Sequence, residues 1–273
     1  MSARFRMPLA VLFAAAALAA CAGASVKRAD TFKARKAMAR EMVRRSDWAQ
    51  AFTLVDGLYR EKPRDHEVLA LRGVIYREQR LVAEAEADLA ESLKIEPNNA
   101  YAHSNLGILL DQEGRSGAVE HHRRAKELEP RNAAYVNNLA FSLFAHGKPR
   151  DAIPIFHEAL RLEPTNARTR NNLGFAYAKA GDFRRAAEQF AMGGAPAEAK
   201  NNLGYAYQAS SNFAQAFDLY VEALRLDRGL ARARQNLVDV AKRLGRPIPA
   251  DLAGESVPLE PGSREPNALE PSS

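Results

Sequence analysis

Asn171-Asn172-Leu173-Gly174-Phe175 is the stretch that decides the fold, because close variants of it return along the chain. Asn105-Leu106-Gly107, Asn138-Leu139-Ala140, Asn172-Leu173-Gly174 and Asn202-Leu203-Gly204 share the pattern, with a weaker echo at Asn236-Leu237-Val238. Most intervals are close to about 34 residues, a period that marks a repeat architecture. Other positions keep step, counted as places from the start of each unit. A small residue stands at place eight (Gly73, Gly107, Ala140, Gly174, Gly204) and another at place twenty (Ala51, Ala85, Ala118, Ala152, Ala186, Ala216). Pro63, Pro97, Pro130 and Pro164 close four units.

Each unit reads as two antiparallel helices. The small residues lie where the helices cross, and large ones such as Leu173, Tyr177 and Phe190 fill the space on either side. The closing proline ends the second helix and biases the residue before it to an extended shape. Six units are expected, at 32–65, 66–99, 100–132, 133–166, 167–196 and 197–230. The fifth is short, ending near Gly193-Gly194 with Pro196 opening the next helix. Residues 231–244 form a further helix that caps the last unit, as the end of a solenoid requires. These positions resemble the tetratricopeptide repeat (TPR). The resemblance implies an all-α TPR solenoid, a right-handed superhelix with a C-terminal capping helix, over 32–245. From Arg246 to Ser273 the sequence is rich in Pro and Glu and poor in apolar groups, so a disordered tail is expected there.

The N-terminus carries a different signal. Arg4 and Arg6 precede an apolar run from Leu9 to Ala20, the layout of a secretory signal and shorter than a membrane-spanning helix needs. Leu18-Ala19-Ala20-Cys21 resembles the lipobox of bacterial lipoproteins. The resemblance implies a signal peptide at 1–20, lipid on Cys21 and a tether at 21–31. Ala22, rather than Asp, follows the Cys, a pattern similar to that of lipoproteins sorted to the outer membrane, on its periplasmic face. Cys21 is the single cysteine, so disulfides contribute nothing. Lys27, Arg28, Lys33, Arg35, Lys36, Arg40, Arg44 and Arg45 crowd the segment after it. They form either a patch that attracts anionic headgroups or a solvated first helix. The formal net charge of +6 is mild and does not indicate a nucleic-acid binder.

No catalytic constellation stands out: there is no phosphate-binding glycine loop, no nucleophile elbow and no metal-ligand spacing. No cofactor, no metal and no enzymatic activity are therefore expected. His121 and His122 are neighbours that a helix points in different directions, and both are expected on an exposed face.

The recurrent asparagines suggest binding instead. Asn105, Asn138, Asn172, Asn202 and Asn236 occupy place six, and Asn137, Asn171 and Asn201 precede three of them. In TPR arrays the first helices line the concave face, so the resemblance implies a ladder of amides able to bond the backbone of an extended peptide. It is similar to the asparagine ladder of O-linked N-acetylglucosamine transferase, without any transferase domain. Phe141, Phe175 and Tyr205, with Ile108, follow at place nine as apolar anchors; Arg168, Lys179 and Arg232 add charge at the rim. The alternative is that the amides cap local backbone or meet water while the aromatics pack between units.

These features imply an outer-membrane-anchored adaptor that holds a protein partner. Small lipoproteins made of TPR units resemble the assembly lipoprotein of the Tad (tight adherence, Flp-type) pilus, which the Asn-Asn-Leu-Gly units and the Gly-Gly-Ala-Pro junction favour. They also resemble the pilotin that escorts the secretin of type IV pili, and periplasmic TPR adaptors of peptidoglycan enzymes. Self-association through TPR faces is a further reading.

Overall fold

The computed structural model describes residues 31–252. Every regular element among them is a helix: α1 (31–44), α2 (Trp48–Glu61), α3 (His66–Glu78), α4 (Val82–Ile95), α5 (Ala100–Gln112), α6 (Ala118–Leu128), α7 (Ala133–Ala145), α8 (Pro149–Leu162), α9 (Ala167–Lys179), α10 (Phe183–Gly193), α11 (Pro196–Ala209), α12 (Phe213–Leu226) and α13 (Ala231–Leu244). The chain divides into two compact units, Met1–Asn105 and Leu106–Ser273. None of the described helices is long and apolar enough to cross a membrane. Cys21, the signal peptide, all of the 21–31 tether but its last residue, and the tail beyond Leu252 lie outside the described residues.

Each hairpin turns in the same way. The residue at place fifteen is left-handed in all six units and again after α13: Ser46, Arg80, Gly114, Gly147, Gly181, Ser211 and Gly245, with φ between 61° and 91°. The next backbone N–H then reaches back five residues, as in Asp182 to Tyr177 and Lys148 to Leu143 (both 2.9 Å). This Schellman closure consumes carbonyls that the helix end leaves free. Between hairpins, Asp65, Asn99 and Asn166 accept backbone N–H bonds from the first turn of the following helix, capping it.

The crossings inside the hairpins explain the glycines. A Cβ on Gly174 would stand 2.6 Å from the Phe190 ring, and one on Gly204 2.8 Å from Tyr220; Leu89 blocks Gly73 in the same way. Place eight must be small because the side chain at place twenty-four lies directly over it. In the third unit that side chain is His122. It is fully buried, and its ring would meet a Gly107 Cβ at 2.7 Å. This corrects the expectation that both neighbouring histidines are exposed. The third unit is one residue short, so His122 falls into the register of the large core residue.

Neighbouring hairpins pack through place eleven. Tyr76 on α3 meets Phe52 of α2 with ring centroids 6.0 Å apart. Tyr177 on α9 meets His157 of α8, and Tyr207 on α11 stacks on Phe183 of α10 at 4.1 Å. At place seven, Arg72 lies 3.4 Å from the centroid of the Tyr59 ring and forms a paired contact with Asp88.

Two further expectations are revised. The packed chain does not stop at Gly245: Leu252 is buried against α12 and α13 with Ile248 beside it, and Arg234 donates to the Leu252 carbonyl at 2.9 Å. Residues 246–252 thus belong to the fold because two apolar side chains there cover the last hairpin. The basic side chains of α1 are also largely matched by acids: Arg35 by Glu61, Lys36 by Asp65 and Glu67, Arg40 by Glu67, and Arg44 and Arg45 by Glu41. Hydrogen bonds from Arg44 and then Arg45 hold the Glu41 carboxyl down at about 2. An open cationic face on α1 is therefore not what the fold presents.

Candidate partner-binding surface

The eight place-five and place-six amides are buried, none more than 7% exposed. In the first compact unit Asn105 is committed to structure: its amide donates to the Tyr101 carbonyl at 2.8 Å, and its oxygen accepts from Arg77 at 2.7 Å. In the second unit Asn236 donates to the Asn201 oxygen at 3.1 Å, across 35 residues of sequence, and Asn201 in turn reaches Asn202 at 3.5 Å. Asn171 donates to the Gly193 carbonyl at 3.4 Å. Asn172 is fully buried, and neither its amide nitrogen nor its oxygen has a hydrogen-bond partner. Asn137 and Asn138 are buried at 1% exposure each.

The expected solvent-facing ladder is therefore replaced by a buried amide seam. Its cause is the close approach of successive first helices, α7 to α9, α9 to α11 and α11 to α13, which seals places five and six between them. On α9 the burial is complete: all residues from 171 to 178 are inaccessible, although this helix was expected to line an open face.

Place nine divides. Ile108 and Phe175 are buried, and Phe175 packs edge-on against Phe190 at 4.8 Å and Tyr205 at 6.1 Å. Phe141 and Tyr205 are half-buried at the edge of the same apolar cluster. Arg168 and Arg232 are half-buried too, and Lys179 is exposed. Of the expected binding residues, the ones a partner can touch without opening the fold are thus Phe141, Tyr205 and Arg168. Tyr207, one place beyond the residue after Tyr205, was not anticipated; the regular recurrence of Tyr at place eleven was the available signal.

One polar cluster invites a chemical reading. Asp111 is bonded by His122 Nε2 (3.1 Å) and by the Ser142 hydroxyl (2.9 Å), and His146 lies 3.6 Å away. The Ser and His both point at the carboxylate rather than at each other, so no base activates the hydroxyl as nucleophilic catalysis requires. The cluster ties α5, α6 and α7 together. Among the described residues no group of three or more His, Cys, Asp or Glu side chains could hold a metal ion.

Comparison with known proteins agrees with the hairpin geometry. Three tetratricopeptide repeat models match residues 36–100, 143–204 and 197–226, together more than half of the chain. No curated protein matches it. Among solved structures, Pseudomonas aeruginosa pilF is similar at 16% identity and a TM-score of 0.62, covering 80% of this chain and 99% of that one. PilW, described as a widely conserved type IV pilus biogenesis factor, is similar at 17% identity and a TM-score of 0.64, over 77% of this chain and 98% of its own. YrrB, a TPR protein with an unusual peptide-binding site, is similar at 19% identity and 0.53, over 69% of this chain and 97% of its own. At these identities the likeness shows a shared fold. The chain belongs to the tetratricopeptide repeat proteins, all-α solenoids that bind protein partners.

Proposed function

We propose that this chain is a lipid-anchored adaptor on the periplasmic face of the outer membrane, holding a protein component of a pilus assembly or secretion machine and performing no chemistry itself. The observation that carries this reading is the lipobox ending at Cys21, which stands only ten residues before the first hairpin of the repeat stack. A tether that short, at ~3.3–3.6 Å per residue, keeps the first hairpin within roughly 35 Å of the bilayer. The Asn-Asn-Leu-Gly units and the Gly-Gly-Ala-Pro junction support a Tad (Flp-type) pilus system. A second reading, a pilotin-like role in type IV pili, is favoured by the similarity to PilW.

Two measurements test the reading. Cys21→Ser releases the protein from the membrane fraction; unchanged fractionation would exclude the lipid anchor. Crosslinked capture of the native, lipidated chain recovers a pilus or secretin component; recovery of murein enzymes instead would replace the pilus reading with a peptidoglycan one.

A further inference from the structure

The first hairpin carries a groove of about 570 Å³ between α1 and α2, lined by Arg35, Met38, Met42, Thr53, Leu54 and Gly57 among others. Met38 is 55% exposed, and a groove of this size is in the range that holds a ligand or a side-chain cluster. The repeat register identifies the face. Met38 and Met42 stand at places seven and eleven of the first unit. At those places the later hairpins pack against the second helix of the hairpin before them: Arg72 on Tyr59 and Tyr76 on Phe52, Tyr177 on His157, Tyr207 on Phe183. The first unit thus displays the same stacking face that every junction in the chain uses.

We infer that this groove receives one amphipathic helix of a partner protein, seated as the second helix of a preceding hairpin and presenting aromatic side chains to Met38 and Met42. The junctions within the chain define the chemistry of the occupant, because place eleven is met by Phe or His each time. Methionine suits such a seat, since its thioether contacts aromatic rings favourably and adapts to irregular surfaces. A second copy is a poor occupant. Two helices of about 20 Å length, with axes 8–10 Å apart, offer a face of roughly 400 Å², half of the ~800 Å² per partner that a stable dimer uses. Residues 22–30 of this chain hold Val26 as their one large apolar side chain and no aromatic. The inference does not depend on the lipid anchor or on the pilus reading.

The probe is a stapled, end-capped peptide of residues 48–62, whose Phe52 and Tyr59 already seat on places seven and eleven of the next unit. Stapling is needed because an isolated helix of this length is marginal. Full-length chain carrying Cys21→Ser is titrated with it, and methionine oxidation by peroxide is followed at Met38, with exposed Met192 as the internal reference. Met38 should oxidise as fast as Met192 alone and be protected several-fold by saturating peptide. Met38→Glu with Met42→Glu should weaken peptide binding by roughly tenfold or more. A peptide lacking both aromatics should fail to protect, a control that does not rely on the folding of any variant. Three outcomes would overturn the inference: no protection by the peptide, protection of Met38 already present in dilute chain alone (its own upstream segment), or protection that rises with chain concentration (a second copy).

Discussion

At the scale of single residues, the buried amides separate into two physical kinds. Asn172 has lost water and gained no partner, a cost of about 1–3 kcal/mol for a buried polar group. Asn172→Leu, of similar size, should raise the urea midpoint. Asn236→Leu removes the donor to Asn201 and should lower stability by about 1–2 kcal/mol in the same assay. Equal and small effects at both sites would mean that the seam is solvated. His157 makes a pH prediction. Burial first, then the nearby Arg161 and Arg185 charges, lowers its pKa below 6.5. The unfolded chain therefore binds the proton more readily, so His157 favours folding fully above pH 6.5 and loses that contribution as pH falls below it. His157→Gln should flatten the decline of melting temperature between pH 6.5 and 5; an unchanged profile would contradict the assignment.

At the scale of elements, the left-handed residue at place fifteen is the recurrent device that reverses the chain. Gly181 has φ near 91°, where a Cβ costs about 1–2 kcal/mol. Gly181→Val should destabilise by at least that amount in thermal unfolding while leaving the helical signal below the transition intact. The hairpins themselves were legible in the sequence, because the rule that a small residue at place eight faces a large one at place twenty-four is local and repeats. His122 escaped because one deleted residue shifts the third unit's register, disguising a core position as a surface pair. The amides escaped for another reason. Their burial depends on how closely α9 and α11 approach, and that distance is set by packing between units, not by the spacing of Asn within them. The basic residues of α1 were visible, whereas their acidic partners Glu61, Asp65 and Glu67 lie about 26 to 29 residues away and meet them only in the fold.

At the scale of the molecule, the chain is a stack of hairpins whose amide seam is closed and whose accessible features are half-buried aromatics and the face of the first hairpin. The last hairpin is covered by residues 246–252. Truncation after Gly245 should therefore expose apolar surface, increase dye binding and cost about 1.5–3 kcal/mol, the value of burying one leucine side chain. A truncated chain as stable as the full one would show that this segment merely rests on the surface. Function follows from what remains reachable: a partner polypeptide meets side chains such as Phe141 and Tyr205 rather than backbone-reading amides. The most direct test is a photo-reactive amino acid introduced at position 205, or at buried position 138, of the native lipidated chain. The account predicts that position 205 captures a discrete pilus-assembly or secretin component and position 138 captures nothing beyond the chain itself. Equal capture at position 138 would mean that the seam opens to bind, and capture of no protein from either position would contradict the adaptor role.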